Sequence, residues 1–280
     1  MKKLHLFSMM CLLALFVVSL AGCKKEETCN CNNNGNTENP GGGSGSGNQE
    51  YPETAVVLPN AVSDIDGNSY DAVQIGNQVW MAENLRTTKY ADGTTIPMGS
   101  TYSDTEPYRY APGSNQSNEE NMVNVPRYGY LYNWPAVMHG ASSSSANPSG
   151  VQGICPTGWH VPSDAEWTEL TNYMKTQPAY MASGNADHLA KALAATWGWN
   201  SSSNTDAPGN DPTTNNATGF SALPAGYYYY GGFCYDASFW SATERYYYYA
   251  YSRGLYDYDA DVDRDYVDKD SGYSVRCVRD

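Results

Sequence analysis

Residues Gly153–Met174 read GICPTGWHVPSDAEWTELTNYM. Ser163, Asp164, Ala165 and Glu166 form an S-x-x-E capping box with Pro162 just ahead of it, so a helix begins here. Trp167, Leu170 and Met174 follow at spacings of three and four, which gives that helix one apolar face.

Working outward, Asp66-Gly67 and Gly76-Asn77 are turn dipeptides that bracket the β-compatible run Ser69–Ile75. Gln78-Val79-Trp80-Met81 comes next, so Gly76-Asn77 is the turn of a hairpin. Pro97–Val125 and Ser142–Gly150 are polar and turn-rich, and Tyr128–Met138 returns to the core between them. A second helix is expected from about Asn185, with Leu189, Leu193 and Trp197 in register and Gly198 as its C-cap. Past the polar loop Asn200–Asn216 come short strand-like segments, GFSALPAGYY, FWSAT, AYSRGLYDY and GYSVRCVRD. A hairpin, two helices, loops and then close-set strands argue for an α+β fold with a small antiparallel sheet.

One segment does not read as scaffold. Tyr246–Asp270 is YYYYAYSRGLYDYDADVDRDYVDKD, where Leu255, Val262 and Val267 are the only sizeable aliphatics. Buried tyrosine hydroxyls need partners, and unpaired Asp is almost never buried, so this is no ordinary core strand. Disordered segments are short of aromatics, which argues against disorder. An ordered, solvent-facing, aromatic and acidic surface remains, and that is the chemistry of a paratope. The expected binding residues are Tyr246, Tyr247, Tyr248, Tyr249, Tyr251, Tyr256, Asp257, Tyr258, Asp259, Asp261, Asp263, Asp265, Tyr266 and Asp268. Leu255, Val262 and Val267 are expected to pin them to the core.

The chain has 280 residues, a net charge of −14 and 25 tyrosines against 5 phenylalanines. So acidic a chain lacks the electrostatic footprint of a nucleic-acid binder. The N-terminus MKKLHLFSMMCLLALFVVSLAGC has a charged start, an apolar centre and a small-residue exit, the pattern of a secretory signal over residues 1–22. Leu20-Ala21-Gly22-Cys23 resembles a bacterial lipobox, which implies cleavage before Cys23 and acylation of its thiol. Ordinary signal cleavage beside a chance cysteine is the alternative. Lys24-Lys25-Glu26-Glu27 resembles a surface-export tag, so the expected location is the outer membrane, lipid-anchored and facing outward. Residues 23–61 are a tether rich in Asn, Gly and Ser, and a coil of about 25 such residues reaches roughly 25–30 Å. Cys29 and Cys31 in this tether are read as incidental thiols, since two ligands make no zinc site.

DIDGNSYDAVQIGNQVWMAENL, CPTGWHVPSDAEW, GFSALPAG, FWSAT and GYSVRCVRD resemble, in order, the blocks of the Fibrobacter succinogenes major paralogous domain. The likeness spans residues 62–280 and implies a C-type-lectin-like fold. It also suggests a diversity-generating-retroelement variable protein, since such lectin-fold proteins keep their variable residues in a Tyr- and Asp-rich C-terminal stretch. It carries over no biochemical activity. Cys155 and Cys277 both fall in these scaffold blocks, and in an oxidising compartment they are expected to pair, leaving Cys234 as the odd thiol.

Enzyme chemistry finds no support. The paired cysteines of formylglycine-generating enzymes are missing, because Cys277 has no close partner in sequence. His160 reads as structural, and His139 and His188 have no nucleophile or ligand at useful spacing. No HExxH, P-loop or nucleophile elbow occurs, and no two carboxylates stand out as a hydrolytic pair. Asp64–Asn68 suggests a calcium loop but has Ser69 where glycine is needed. The alternating Asp257, Asp259, Asp261, Asp263 and Asp265 read as a solvated acidic loop, with no metal or other cofactor expected. The expected function is binding of a protein or glycan ligand at the cell surface. The alternative is a cell-envelope structural or adhesive subunit of pilus or fimbrial type.

Overall fold

The computed structural model describes residues 51–280 except Thr54, Tyr229 and Tyr230. The leader, Cys23 and the tether thiols Cys29 and Cys31 lie outside the described residues. The first strand, β1, spans Val56–Ser63 and so begins ahead of the expected opening near Val62. β2 (Ser69–Ile75) and β3 (Gln78–Met81) form the expected hairpin, with Ile75 opposite Gln78. Gly76 sits in its turn at φ +62°, and a Cβ there would lie 2.9 Å from the Tyr173 ring, so both backbone and packing require glycine.

Short elements follow: β4 (Arg109–Tyr110), α1 (Asn118–Asn121), α2 (Val125–Tyr128), β5 (Leu131–Tyr132), α3 (Trp134–Met138) and β6 (Trp159–His160). α4 (Asp164–Met174) is the one long helix among the described residues. Its capping box is closed: Glu166 N donates to Ser163 Oγ, and Ser163 N donates to Glu166 Oε2. Trp167, Leu170 and Met174 are fully buried. Trp167 packs against the rings of Trp80, Phe220 and Phe239.

The second helix differs from expectation. α5 is a single turn, Ala190–Leu193, and Ala194 is already extended. Ala194 bridges to Ala222, so tertiary pairing ends the helix before Trp197. Trp197 instead meets Tyr128 edge-on, beneath the Arg127 guanidinium.

The last elements are β7 (Asp236–Tyr246), β8 (Tyr249–Tyr256), β9 (Asp263–Asp268) and β10 (Val278–Arg279). One sheet has the order β1-β2-β3-β10-β6, a second pairs β4 with β5, and a third runs β7-β8-β9, with every named pair antiparallel. The fold is α+β, mostly strand and loop-rich. β10 closes beside the hairpin, and the Cys155–Cys277 disulfide ties it to the approach of β6, with Cα atoms 5.9 Å apart across 122 residues of chain.

Arg276 sits on the same segment, wholly buried. Its guanidinium donates to Asn84 Oδ1 and to the carbonyls of Met81, Phe220 and Ser221, and burial pushes its pKa down to about 9. Successive residues of β7 face opposite cores: Phe239 joins the Trp167 cluster, and Trp240 packs with Tyr132 and Tyr273.

Candidate recognition surface

β7 and β8 are joined by a turn at Tyr247-Tyr248, with Tyr246 opposite Tyr249. Tyr246, Tyr247 and Tyr248 are 55%, 74% and 56% exposed. A buried lysine holds the turn from below. Lys269 Nζ donates to Tyr247 O and Glu244 Oε2, each at 2.8 Å, and lies 4.4 Å from the centre of the Trp134 ring. Lys269 N donates to Tyr248 O. Two hydrogen bonds from Lys269 thus fix the turn backbone under the exposed rings, and Glu244 and the Trp134 ring hold the lysine itself in place.

Beside the turn, Tyr266 of β9 is a hub. Its ring meets Tyr246, Tyr249 and Tyr251 edge-on at 6.1, 5.8 and 6.4 Å. Two arginines lie in this cluster. The Arg245 guanidinium is 4.7, 5.7 and 5.8 Å from the ring centres of Tyr246, Tyr251 and Tyr266. Arg264 stacks on Tyr251 at 4.3 Å and also bonds Asp164 at the start of α4. Arg253, buried in β8, reaches the same carboxylate. Burial alone would raise the Asp164 pKa, but the bonds from Arg264 and Arg253 outweigh it and hold the carboxyl below its usual range. Helix α4 and the β7-β8-β9 sheet are thus locked by one carboxylate between two guanidiniums.

The remaining expected residues are not part of this cluster. β8 is eight residues long, and at about 3.3 Å per residue Tyr256 stands roughly 23 Å from Tyr249. There Tyr256 stacks on the exposed Tyr258, rings 5.7 Å apart, beside Asp259 and Asp261 in the β8–β9 turn. Asp263 and Asp265 share one face of β9, opposite to that of Arg264 and Tyr266. Asp268, exposed, is across from Tyr249.

Asp257 corrects the sequence reading. It is 4% exposed, its Oδ2 accepts from Asn200, and its Oδ1 is buried with no hydrogen bond. The chain turns immediately after β8, so the alternating aspartates do not line one face and Asp257 is drawn under the Asn200 loop. Burial, and then the nearby Asp257 charge, push the Asp236 carboxyl up to about 7.

Other candidate positions are occupied. Asp64 accepts from Asp66 N, Asn68 N, Asn68 Nδ2 and the Tyr70 hydroxyl, which makes the segment a self-bonded turn. Both ring nitrogens of buried His160 are taken, Nε2 by Glu166 at 2.6 Å and Nδ1 by Asp280 at 2.7 Å. His188 bonds Asp206, and His139 stacks on Tyr90 with ring centres 3.6 Å apart. Cys234 is disulfide-bonded, not an odd thiol, and its partner lies outside the described residues.

Sequence reasoning missed Arg245 and Lys269 as parts of this surface. Their signal was available: basic residues set into a run of tyrosine and aspartate, at positions where a solvated acidic loop has no use for them.

A strand-rich α+β domain presenting an aromatic hairpin on a disulfide-braced scaffold is the class these features define. The chain belongs to the Fibrobacter succinogenes major domain family, whose model matches residues 73–279. No curated protein and no solved structure was found to match it. Among the described residues, no helix is long and apolar enough to cross a membrane.

Proposed function

We propose that this is a surface lipoprotein that binds a protein or glycan ligand through the tyrosine face around Tyr246, Tyr247, Tyr248 and Tyr266. One observation carries the reading: Tyr246, Tyr247 and Tyr248 are each more than half exposed yet stand at a turn locked by buried Lys269, with the exposed ring of Tyr266 on β9 packed beside them. A contiguous patch of large exposed rings on a fixed backbone marks an interaction site. The lipobox at Cys23 and the tether supply the anchor in this account, and the domain is taken as C-type-lectin-like. Retroelement diversification would act on the same tyrosines, leaving Arg253 and Leu255 between them as fixed scaffold. No chemical step is assigned to the chain.

The alternative is a self-packing envelope or adhesive subunit whose tyrosine surface packs against copies of itself; the neighbouring β9 lies at the edge of its sheet among the described residues. That edge carries Asp263, Arg264, Asp265 and Asp268, and charge on an edge strand opposes strand addition. The test is to replace Tyr246, Tyr247, Tyr248 and Tyr266 together by Ser and measure retention of the purified protein on a panel of intact bacterial and animal cells. Loss of retention supports the recognition surface. Unchanged retention overturns it, and concentration-dependent assembly of the native chain without any foreign cell would favour the alternative.

A further inference from the structure

We infer that the tyrosine face takes an acidic peptide segment, with a ligand carboxylate seated on Arg245. The inference rests on the recognition reading above and names the chemistry of its partner. Among the described residues no hydrogen bond or ion pair ties the Arg245 guanidinium, which is exposed and ringed by Tyr246, Tyr251 and Tyr266. The other cations nearby are already paired: Arg264 and Arg253 share Asp164, and Lys269 bonds Glu244. Asp268, exposed across from Tyr249, makes no ion pair with Arg245. Arg245 is therefore the cation of this face left to a ligand, and a guanidinium matches a carboxylate with two parallel N–H donors.

Ring geometry points the same way. Tyr266 meets its three neighbours at interplanar angles of 88°, 81° and 87°, and Arg245 lies over the faces of three of these rings. Ring edges carry the positive end of the aromatic quadrupole, so edges and guanidinium together favour an anion. At Tyr246, Tyr251 and Tyr266 the rings share their faces with the Arg245 guanidinium, a cation that a carboxylate uses and a neutral sugar ring does not. A carboxylate side chain on a peptide fits better than a glycan. The chain's net charge of −14 opposes an acidic partner at long range, but near physiological salt that repulsion is screened beyond about 8 Å. Local contacts then decide.

The test uses the full chain at physiological salt, with poly-L-glutamate, poly-L-lysine and hyaluronate as probes in fluorescence anisotropy. Arg245 is exposed, so Arg245→Gln is expected to melt with the native protein. Poly-L-glutamate should bind in preference to the other two, and Arg245→Gln should weaken it by about tenfold, the loss of one charge-assisted contact. Preference for poly-L-lysine, absence of binding to poly-L-glutamate, or an unchanged affinity in Arg245→Gln would overturn the inference. Hyaluronate bound as tightly as poly-L-glutamate would overturn the choice of a peptide. If the tyrosine variant loses cell retention while Arg245→Gln changes nothing, recognition stands and the acidic partner falls. If neither variant alters cell retention, the recognition reading falls with it.

Discussion

Arg253 Nη1 lies 2.7 Å from Asp164 Oδ1, joining β8, the middle strand of the β7-β8-β9 sheet, to the first turn of α4. Arg253 also donates to Asp164 O and Thr168 Oγ1, and its side chain is almost entirely buried. The Tyr- and Asp-rich run thus holds its own scaffold bolt. Removing the acid leaves a buried cation uncompensated, so Asp164→Ala should cost about 3–5 kcal/mol. Arg253→Met in the same chain should restore part of that loss, because no unpaired charge then remains. Urea unfolding of both single variants and the double variant measures this coupling.

Much of this scaffold was legible because its signals are local. Ser163 to Glu166 is a four-residue pattern, and Gly76-Asn77 sits between two strand-like runs; each fixes its element without distant help. The Cys155–Cys277 pairing was legible from the family resemblance, whose blocks hold both cysteines, together with the expectation of an oxidising compartment. The short α5 was not, because Leu189, Leu193 and Trp197 keep helical spacing while Ala194 is captured by Ala222 from far along the chain. Asp257 was misread for the same reason, its burial depending on Asn200. Within the recognition run, composition announced an exposed aromatic surface. Its division into two separated tyrosine groups depends on where β8 ends and the chain turns.

The disulfide closes a loop of 122 residues, so opening it releases much unfolded-chain entropy. Cys277→Ser should destabilise by about 2–5 kcal/mol, and Cys155→Ser by a similar amount. The double variant should lose no more than either alone, a comparison that chemical denaturation of the non-reduced proteins makes directly.

Asp236 gives a signed pH dependence. Its carboxyl is raised to about 7, first by burial and then by Asp257, whereas an unfolded Asp titrates near ~3.9. A raised folded pKa contributes stability fully below the unfolded value and loses it as pH rises toward the folded one. Stability from this group should therefore fall between about pH 4 and pH 7. Asp236→Asn should flatten that slope and exceed the native protein at pH 7 by about 1–3 kcal/mol, as read from melting curves across the range.

His160 acts in a higher window. Burial would lower its pKa, but the hydrogen bonds it donates to the Glu166 and Asp280 carboxylates outweigh that and raise the pKa. Its contribution is complete below the unfolded value of about 6.5 and is lost as pH climbs through the folded one. His160→Gln should be less stable than the native protein at pH 6, with the gap narrowing as the medium turns alkaline. A constant gap would mean that the imidazole is not charged between its two carboxylates.

The central claim is that recognition and scaffold residues alternate within one run yet separate in function. Leu255 is fully buried, whereas Tyr246, Tyr247, Tyr248 and Tyr266 are exposed. Thermal melting of two variants tests this most directly: Leu255→Ala, and the four tyrosines replaced together by Ser. Leu255→Ala should cost about 2–5 kcal/mol, a fall of about 4–20 °C in Tm for a domain of this size, while the tyrosine variant should stay within about 3 °C of the native protein. A collapse of the tyrosine variant, comparable to that of Leu255→Ala, would show that these rings hold the fold together and would contradict the account.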